Sequence, residues 1–223
     1  VAVPLLLGKL LIQQPIEYMR VKGTQQRLRA HPSFKIAIAG SFGKTSMREI
    51  LQMVLAEGKK VASPPHNYNT PLGINRFVEK LRGDEDVLLF ELGEYYPGDV
   101  RKLCRIIEPQ LGIITGVNEA HLEKFRTLER TAQTIFELSE WLGAKPLYVN
   151  GESPLARIRT LPSHISYSRG GCGEWKVQNA HTSLEGTHFT LSQHSKTLQA
   201  DTALLGLHHI GPIAAAADIA LRL

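Results

Sequence analysis

Cysteine is scarce in this 223-residue sequence, which contains only Cys104 and Cys172. The two residues lie far apart, and neither belongs to a Cys-x-x-Cys pair, so the sequence does not indicate a disulfide framework. We therefore expect a cytoplasmic protein. Aromatic residues are also few, at 7%, but a hydrophobic content of 43% is ordinary for a globular chain and excludes a disordered one.

Acidic residues are missing between Arg20 and Lys35, and no long hydrophobic run precedes them. The apolar run at residues 1–12 is too short to span a bilayer and is interrupted by Lys9. An apolar run followed by basic residues is typical of the cytoplasmic end of a transmembrane helix. An amphipathic helix with a solvated basic face has the same pattern, so membrane attachment at the inner face of the cytoplasmic membrane and a soluble helix both stay open.

The basic excess, a net charge of +5, also raises the question of a nucleic-acid partner. The basic stretch has no interleaved aromatic residues, which single-strand binders use to stack bases. It also precedes the predicted fold and does not line a groove. The sequence therefore predicts no nucleic-acid partner.

Short β-rich apolar runs alternate with helical patterns through most of the chain. Alternation of this kind predicts βαβ units and a mostly parallel sheet of phosphate-loop NTPase type, flanked by helices. From about Gly173, polar and apolar residues alternate around turns, which predicts a small antiparallel β appendage to this α/β fold. The predicted strands are FKIAIAG, DVLLFELG, LGIITGV and PLYVNG, and the predicted helices between them are KTSMREILQMVLAEG, PGDVRKLCRII and TLERTAQTIFELSEWL.

The organisation of the chain follows from these patterns. We divide it into an apolar and basic leader, residues 1–33, and a central domain, residues 34–223. The first residue is Val1, and the helical pattern at the carboxyl end has no stop signal. We therefore expect the sequence to be a piece of a longer protein.

A glycine-bounded loop, GSFGKTS, lies between the first predicted strand and its helix. Glycines let backbone N–H groups face phosphate oxygens, and the helix N-terminus adds a favourable dipole. Lys44 would supply a charge for the β- and γ-phosphates, and the Thr45 hydroxyl could ligate Mg²⁺. Ile38 stands where the usual motif has its first glycine, so this is a shorter variant, and a purely structural turn is the alternative. The predicted ATP-binding residues of the loop are Gly40, Ser41, Phe42, Gly43, Lys44, Thr45 and Ser46.

Two more predicted strands end in candidate metal ligands. Glu91 ends an apolar run, where a carboxylate without a cation would be costly. Asn118, Glu119 and His121 follow another strand. Because the carboxyl ends of parallel strands form the ligand edge of an open sheet, these groups and Thr45 could hold a divalent metal beside the phosphates. A capping or solvated residue is the simpler alternative for each.

Five segments in this order together resemble the Mur ligase family over about Phe34–Leu223. The resemblance implies the central ATPase domain of an ATP- and Mg²⁺-dependent amide-bond ligase, with the family's carboxyl-terminal domain absent. The N-Y-N-T-x-x-G-I loop and the E-L-G-x-x-x-x-G-D segment favour a member that adds D-alanyl-D-alanine to a UDP-sugar tripeptide of peptidoglycan synthesis. The five segments are GSFGKTS, HNYNTPLGI, FELGEYYPGDV, VNEAHLEKF and VNGESP.

The resemblance also implies residue roles. ATP would convert a substrate carboxylate to an acyl phosphate, which an incoming amine would then attack. The catalytic residues would be Lys44, Glu91 and His121, with the first magnesium on Thr45 and the second on Glu91 and His121. The nucleotide-sugar peptide would contact Asn69 and Thr70, and the nucleotide would also contact Asn118 and His209.

Three positions depart from the family pattern. Ile135 stands where the family has a carbamylated lysine, and His209 and Pro212 stand in the late adenine-binding segment. These departures motivate an alternative, a membrane-tethered nucleotide-binding protein without catalysis. A folylpolyglutamate-type ligase of the same superfamily is a second alternative. We expect a monomer.

Overall fold

A computed structural model describes residues 14–65, 68–119 and 127–223. Helices and strands alternate through the first two thirds of the chain, as the sequence predicts. In chain order the elements are α1 (Gln14–Ala30), β1 (Phe34–Ala39), α2 (Lys44–Ala56), β2 (Val61–Ala62), α3 (Pro71–Val78), β3 (Val87–Glu91), α4 (Asp99–Ile107), β4 (Leu111–Ile114), α5 (Leu128–Leu142), β5 (Leu147–Asn150), α6 (Pro154–Ile158), β6 (Ile165–Ser168), β7 (Gly171–Cys172), β8 (Trp175–Ser183), β9 (Gly186–Gln193), β10 (Lys196–Thr202), a short 3₁₀ helix (Leu207–His209) and α7 (Ile210–Arg222).

The strands form one ten-stranded sheet in the order β10-β9-β8-β7-β6-β5-β4-β1-β3-β2. Neighbours from β2 to β6 are parallel, and neighbours from β6 to β10 are antiparallel. The predicted α/β class with antiparallel strands at one end is confirmed. The antiparallel part continues the same sheet, because Tyr167 of β6 pairs with Cys172 of β7.

Helices cover both faces of the parallel part of the sheet, and β1, which lies between β4 and β3, shows why. Successive side chains of a strand point to opposite faces. Ala37 and Ala39 pack in the cluster beneath α1, α3, α4 and α5. Ile36 and Ile38 pack in the cluster beneath α2 and α7. A strand buried on both sides needs the continuous apolar run that this sequence has.

Helix α1 packs against α3 and α4. Leu28 is fully buried, and the side-chain amide of Asn75 donates to the Thr24 hydroxyl at 2.8 Å. The Gln25 amide donates to the Arg105 carbonyl at 2.9 Å. The second half of the proposed leader therefore lies on the α/β body, while a domain boundary at residue 33 stays a prediction.

The apolar run that raised the membrane hypothesis, residues 1–12, lies outside the described residues. Among residues 14–65, 68–119 and 127–223, no helix combines the length and the apolar character needed to cross a bilayer. Membrane attachment therefore remains a prediction from the sequence.

Candidate functional site

The phosphate loop connects β1 to α2 and has the backbone that its glycines predict. Gly40 has φ 146° and Gly43 has φ 77°, a region that side chains disfavour. A Cβ on Gly40 would lie 2.2 Å from the Thr115 hydroxyl oxygen, so a side chain there would displace the loop. The loop residues open onto the carboxyl ends of the strands, where open α/β sheets bind ligands.

The loop after β4 holds the phosphate loop in place. The Thr115 hydroxyl donates to the Phe42 carbonyl at 2.5 Å, and the Ser41 N–H donates to the Gly116 carbonyl at 3.0 Å. A Cβ on Gly116 would lie 2.3 Å from the Phe42 ring, so a side chain there would displace that ring. The Ser41 hydroxyl oxygen is buried and has no hydrogen-bond partner within the described structure. A phosphate oxygen would provide that partner.

Lys44, the predicted phosphate-binding lysine, is paired with a residue that the sequence analysis missed. Its ammonium donates to both carboxylate oxygens of Glu94, at 2.9 and 3.0 Å, and also to the Gly40 carbonyl. The Glu94 side chain is only 3% exposed. The sequence shows this second carboxylate three residues after Glu91, but no sequence pattern indicates that it pairs with Lys44.

Thr45 and Glu91 meet as expected at the edge of the sheet. The Thr45 hydroxyl donates to Glu91 Oε2 at 3.1 Å. Arg48, a buried residue, places Nε 2.8 Å from Glu91 Oε1, within ion-pair distance but not aligned as a hydrogen bond. The cation that compensates Glu91 here is therefore the guanidinium of Arg48, and the burial of Glu91 does not by itself require a metal.

The donor set nevertheless suits magnesium. A hydroxyl and a carboxylate in contact are hard oxygen ligands, and Mg²⁺ commonly takes one or two protein ligands and fills the rest with water and phosphate. In the part of the chain with described coordinates, no three His, Cys, Asp or Glu side chains cluster as a metal site. His121, the third predicted ligand, lies outside the described residues. Asn118 and Glu119 are exposed just after β4, and their roles stay predictions.

A cavity of about 300 Å³ adjoins the phosphate loop. Its walls include Phe42, Gly43, Ser46, His209 and Pro212, so the structure brings the late segment of the chain beside the phosphate loop. Burial, and then the neighbouring His208, lower the pKa of His209, which favours a neutral imidazole at this wall. A neutral ring can stack on a base or hydrogen-bond to it.

A second cavity, of about 340 Å³, lies between the loop that precedes α3 and the loop that follows β3. Asn69 and Thr70 line it together with Tyr95 and Tyr96. Both predicted substrate residues also serve the fold: the Thr70 hydroxyl caps α3 by accepting from an N–H, and the Asn69 carbonyl accepts from the Gly93 N–H at 3.1 Å. Their contact with a substrate stays a prediction.

Ile135 lies in the apolar interior. Its side chain is fully buried in the cluster beneath α5. Two residues further on, the Glu137 carboxylate accepts from the N–H groups of Gly98 and Arg101 and so caps the start of α4. Residue 135 therefore contributes no metal ligand, and a lysine there would place an ammonium among apolar side chains.

Comparisons with known protein families and curated proteins are consistent with this fold and site. The protein-family model described as the Mur ligase middle domain matches residues 38–220. The UDP-N-acetylmuramoyl-tripeptide–D-alanyl-D-alanine ligase of Mycobacterium tuberculosis H37Rv is 29% identical over 193 residues, which cover 84% of this chain and 38% of the relative. The same-named ligase of Bacillus subtilis is 25% identical over 176 residues, 78% of this chain and 38% of the relative. The chain thus spans well under half the length of these curated relatives.

Solved structures show the same fold. MurF from Acinetobacter baumannii superposes with a TM-score of 0.80 at 20% identity, covering 93% of this chain and 47% of that one. The MurF ligase of Thermotoga maritima in complex with ADP gives a TM-score of 0.79 at 22% identity, covering 92% and 49%. A complex of FPGS with AMPPCP and folate superposes less closely, with a TM-score of 0.64 at 16% identity, covering 91% and 61%.

Proposed function

The chain belongs to the Mur ligase family, and on that premise we propose that it is the ATP-binding part of a ligase that joins D-alanyl-D-alanine to a UDP-N-acetylmuramoyl tripeptide. One observation carries the proposal. Glu91 contacts Thr45 of the phosphate loop on one side and, with Asn69, lines a narrow opening on the other. A γ-phosphate on the loop and a carboxylate beside Asn69 would therefore meet at Glu91.

The phosphate loop supplies the nucleotide site in this proposal. Its backbone N–H groups and the Ser41 hydroxyl bind phosphate oxygens, and Lys44 neutralises part of their charge. Thr45 and Glu91, with His121, would hold Mg²⁺, which neutralises charge on the transferred phosphoryl group. His209 borders the cavity for the base.

The proposed reaction has two steps. A carboxylate oxygen of the tripeptide attacks the γ-phosphorus, the bond to ADP breaks, and an acyl phosphate forms. The amine of D-alanyl-D-alanine then attacks the carbonyl carbon, phosphate leaves, and the amine loses a proton. Positioning and charge neutralisation are what such phosphoryl transfer requires of a protein.

The test is ADP release by the full-length protein. We expect release that depends on ATP, on the tripeptide precursor and on D-alanyl-D-alanine together, and a loss of about 100-fold or more in kcat for Glu91→Gln. Asp84→Asn, which removes an exposed carboxylate at the opposite end of β3, is the matched control and should leave kcat unchanged. ADP release that needs neither substrate, or amide formation with a different amine only, would contradict the assignment.

The alternative without catalysis has one observation in its favour, the apolar interior position of Ile135. Tight ATP binding by the full-length protein without turnover on both substrates would support it. Ile135→Lys is a poor test, because a buried ammonium would destabilise the fold whatever the function. A folylpolyglutamate-type ligase fits less well, since the FPGS structure superposes less closely than the MurF structures.

The remaining partner assignments rest on the sequence. A UDP-sugar peptide and an amine dipeptide are the proposed substrates. We infer a cytoplasmic location, where ATP is available to the phosphate loop. Attachment to the membrane through residues 1–33, a monomeric state and the absence of a nucleic-acid partner stay predictions.

A further inference from the structure

The ion pair between Lys44 and Glu94 occupies the atoms that a nucleotide would need. An ammonium has three N–H donors. The Lys44 ammonium lies within hydrogen-bond distance of the Gly40 carbonyl and of both oxygens of the Glu94 carboxylate. The two oxygens of one carboxylate subtend too small an angle at the nitrogen to take two separate N–H groups, so Glu94 shares one donor between them. A phosphate oxygen would therefore compete with Glu94 for the position and the charge of this ammonium.

The position of Glu94 is fixed by the fold. Leu92 donates its N–H to the Ile38 carbonyl at 2.8 Å, which carries the chain beyond β3 alongside β1. Gly93 then donates to the Asn69 carbonyl, and a Cβ on Gly93 would lie 2.7 Å from that oxygen. Glu94 follows within this tight passage and is 3% exposed. Its contact with Lys44 is thus a built feature of the site and not a surface pair.

The negative charge of Glu94 affects how phosphate groups bind at this site. Among the described residues, Lys44 pairs with Glu94 and Arg48 with Glu91, so both of these cations are already compensated before a nucleotide arrives. A di- or triphosphate brings further negative charge to the same place. Where solvent is largely excluded, the Glu94 carboxylate and a phosphate that contact the same ammonium repel each other strongly.

We propose that Glu94 is a positioning residue that holds Lys44 in the nucleotide-free protein and competes with the nucleotide phosphates for its ammonium. The inference rests on the proposed nucleotide site. Position 94 is one of the four unspecified positions in the E-L-G-x-x-x-x-G-D segment, so the resemblance assigns no role to Glu94. On this account the carboxylate keeps the affinity for a metal-free nucleotide low.

Titration of the full-length protein with ADP in the presence of EDTA tests the proposal. Glu94→Gln keeps the size and an acceptor oxygen but removes the charge, and it should tighten ADP binding by about tenfold. Asp84→Asn removes a carboxylate from an exposed ion pair far from the loop and should leave the affinity unchanged. Unchanged or weaker ADP binding by a folded Glu94→Gln chain overturns the proposal.

A double-mutant cycle shows whether Glu94 acts through Lys44. The substitution Glu94→Gln should have a several-fold smaller effect in a Lys44→Met background, because the contested ammonium is gone. An equal effect in both backgrounds would mean that Glu94 acts only by its charge on the phosphates, which overturns the competition.

The wild-type chain gives an independent measurement should the variants fold poorly. In a structure with ADP bound, Lys44 Nζ should lie beyond 4 Å from at least one Glu94 oxygen and contact a phosphate oxygen. Retention of both Glu94 contacts beside bound ADP overturns the inference alone. A wild-type chain that binds no nucleotide even when Mg²⁺ is present overturns this inference and the proposed function together.

Discussion

Replacing Tyr148 with phenylalanine removes one hydroxyl from a buried contact between β5 and α7. Tyr148 is fully buried, and its hydroxyl donates to Asp218 Oδ2 at 2.6 Å. Asp218 is 6% exposed and also accepts from Arg222 Nε at 2.9 Å. The phenylalanine variant therefore leaves a buried carboxylate with one partner fewer, although not without any.

The structure offers a matched control. Tyr167 is equally buried on the neighbouring strand β6, but its hydroxyl donates to the uncharged Ile114 carbonyl at 3.3 Å. Hydrogen bonds to charged groups contribute about 1.5–3 kcal/mol and neutral ones about 0.5–1.5 kcal/mol. We therefore expect Tyr148→Phe to lower the free energy of unfolding by about 2 kcal/mol, and Tyr167→Phe by about 1 kcal/mol.

Equilibrium unfolding in urea at neutral pH measures both changes. In thermal unfolding of a chain of this size, a loss of about 1 kcal/mol in the free energy of unfolding lowers Tm by roughly 2–4 °C. The Tm of Tyr148→Phe should therefore be about 4–8 °C below that of wild type. A Tyr148→Phe variant that is no less stable than Tyr167→Phe would refute the argument that the charged acceptor makes the difference.

The same residue predicts a response to alkali. Burial, and then Asp218, raise the pKa of Tyr148, so its phenol stays neutral in the folded chain when the unfolded chain ionises at about pH 10. The unfolded state then binds fewer protons, and stability falls as the pH rises through this range. Tyr148→Phe should remove that part of the decline, which urea unfolding between pH 9 and 11 would show.

Three more predictions concern the loop, the thiols and a helix cap. Gly40→Ala should weaken ADP binding by about tenfold or more in calorimetric titration, because a Cβ there would lie 2.2 Å from a neighbouring hydroxyl oxygen. Cys104 and Cys172 should resist thiol reagents at pH 8 in the folded chain, because burial raises the pKa of each to about 12. Glu137→Gln should lower the free energy of unfolding by about 1–2 kcal/mol in urea, because its carboxylate caps α4.

Each of these has a control or an opposing result. Gly23, in α1 with open space around it, can be changed to alanine and should leave ADP affinity as it is. Fast labelling of either thiol in the folded chain would show that the sites open locally. A Glu137→Gln variant with wild-type stability would mean that the capping contacts contribute nothing.

The order of strands and helices was predictable because it depends on local patterns. The apolar run of β1, the helical spacing of α2 and the glycines between them identify a strand, a phosphate loop and a helix without any distant residue. The strands β2, β6 and β7 were missed. They have two to four residues each, too few to show a period, and they form because neighbouring strands offer them hydrogen bonds.

The partners within the site were not predictable in the same way. The sequence indicated that Glu91 needs a cation, and the structure places Arg48 beside it. The sequence indicated no partner for Glu94. In the structure it pairs with Lys44, which lies 50 residues earlier in the chain. Both pairs depend on where β3 lies against β1.

By itself, then, the sequence determined the α/β class, the phosphate loop and the side chains available to it, because strand and helix periods and glycine turns are properties of neighbouring residues. Only the tertiary structure decided which charges meet. The parallel register that sets Ile38 opposite Glu91 brings the end of β3 to the phosphate loop, and that alignment is fixed by packing on both faces of the sheet and not by any local signal.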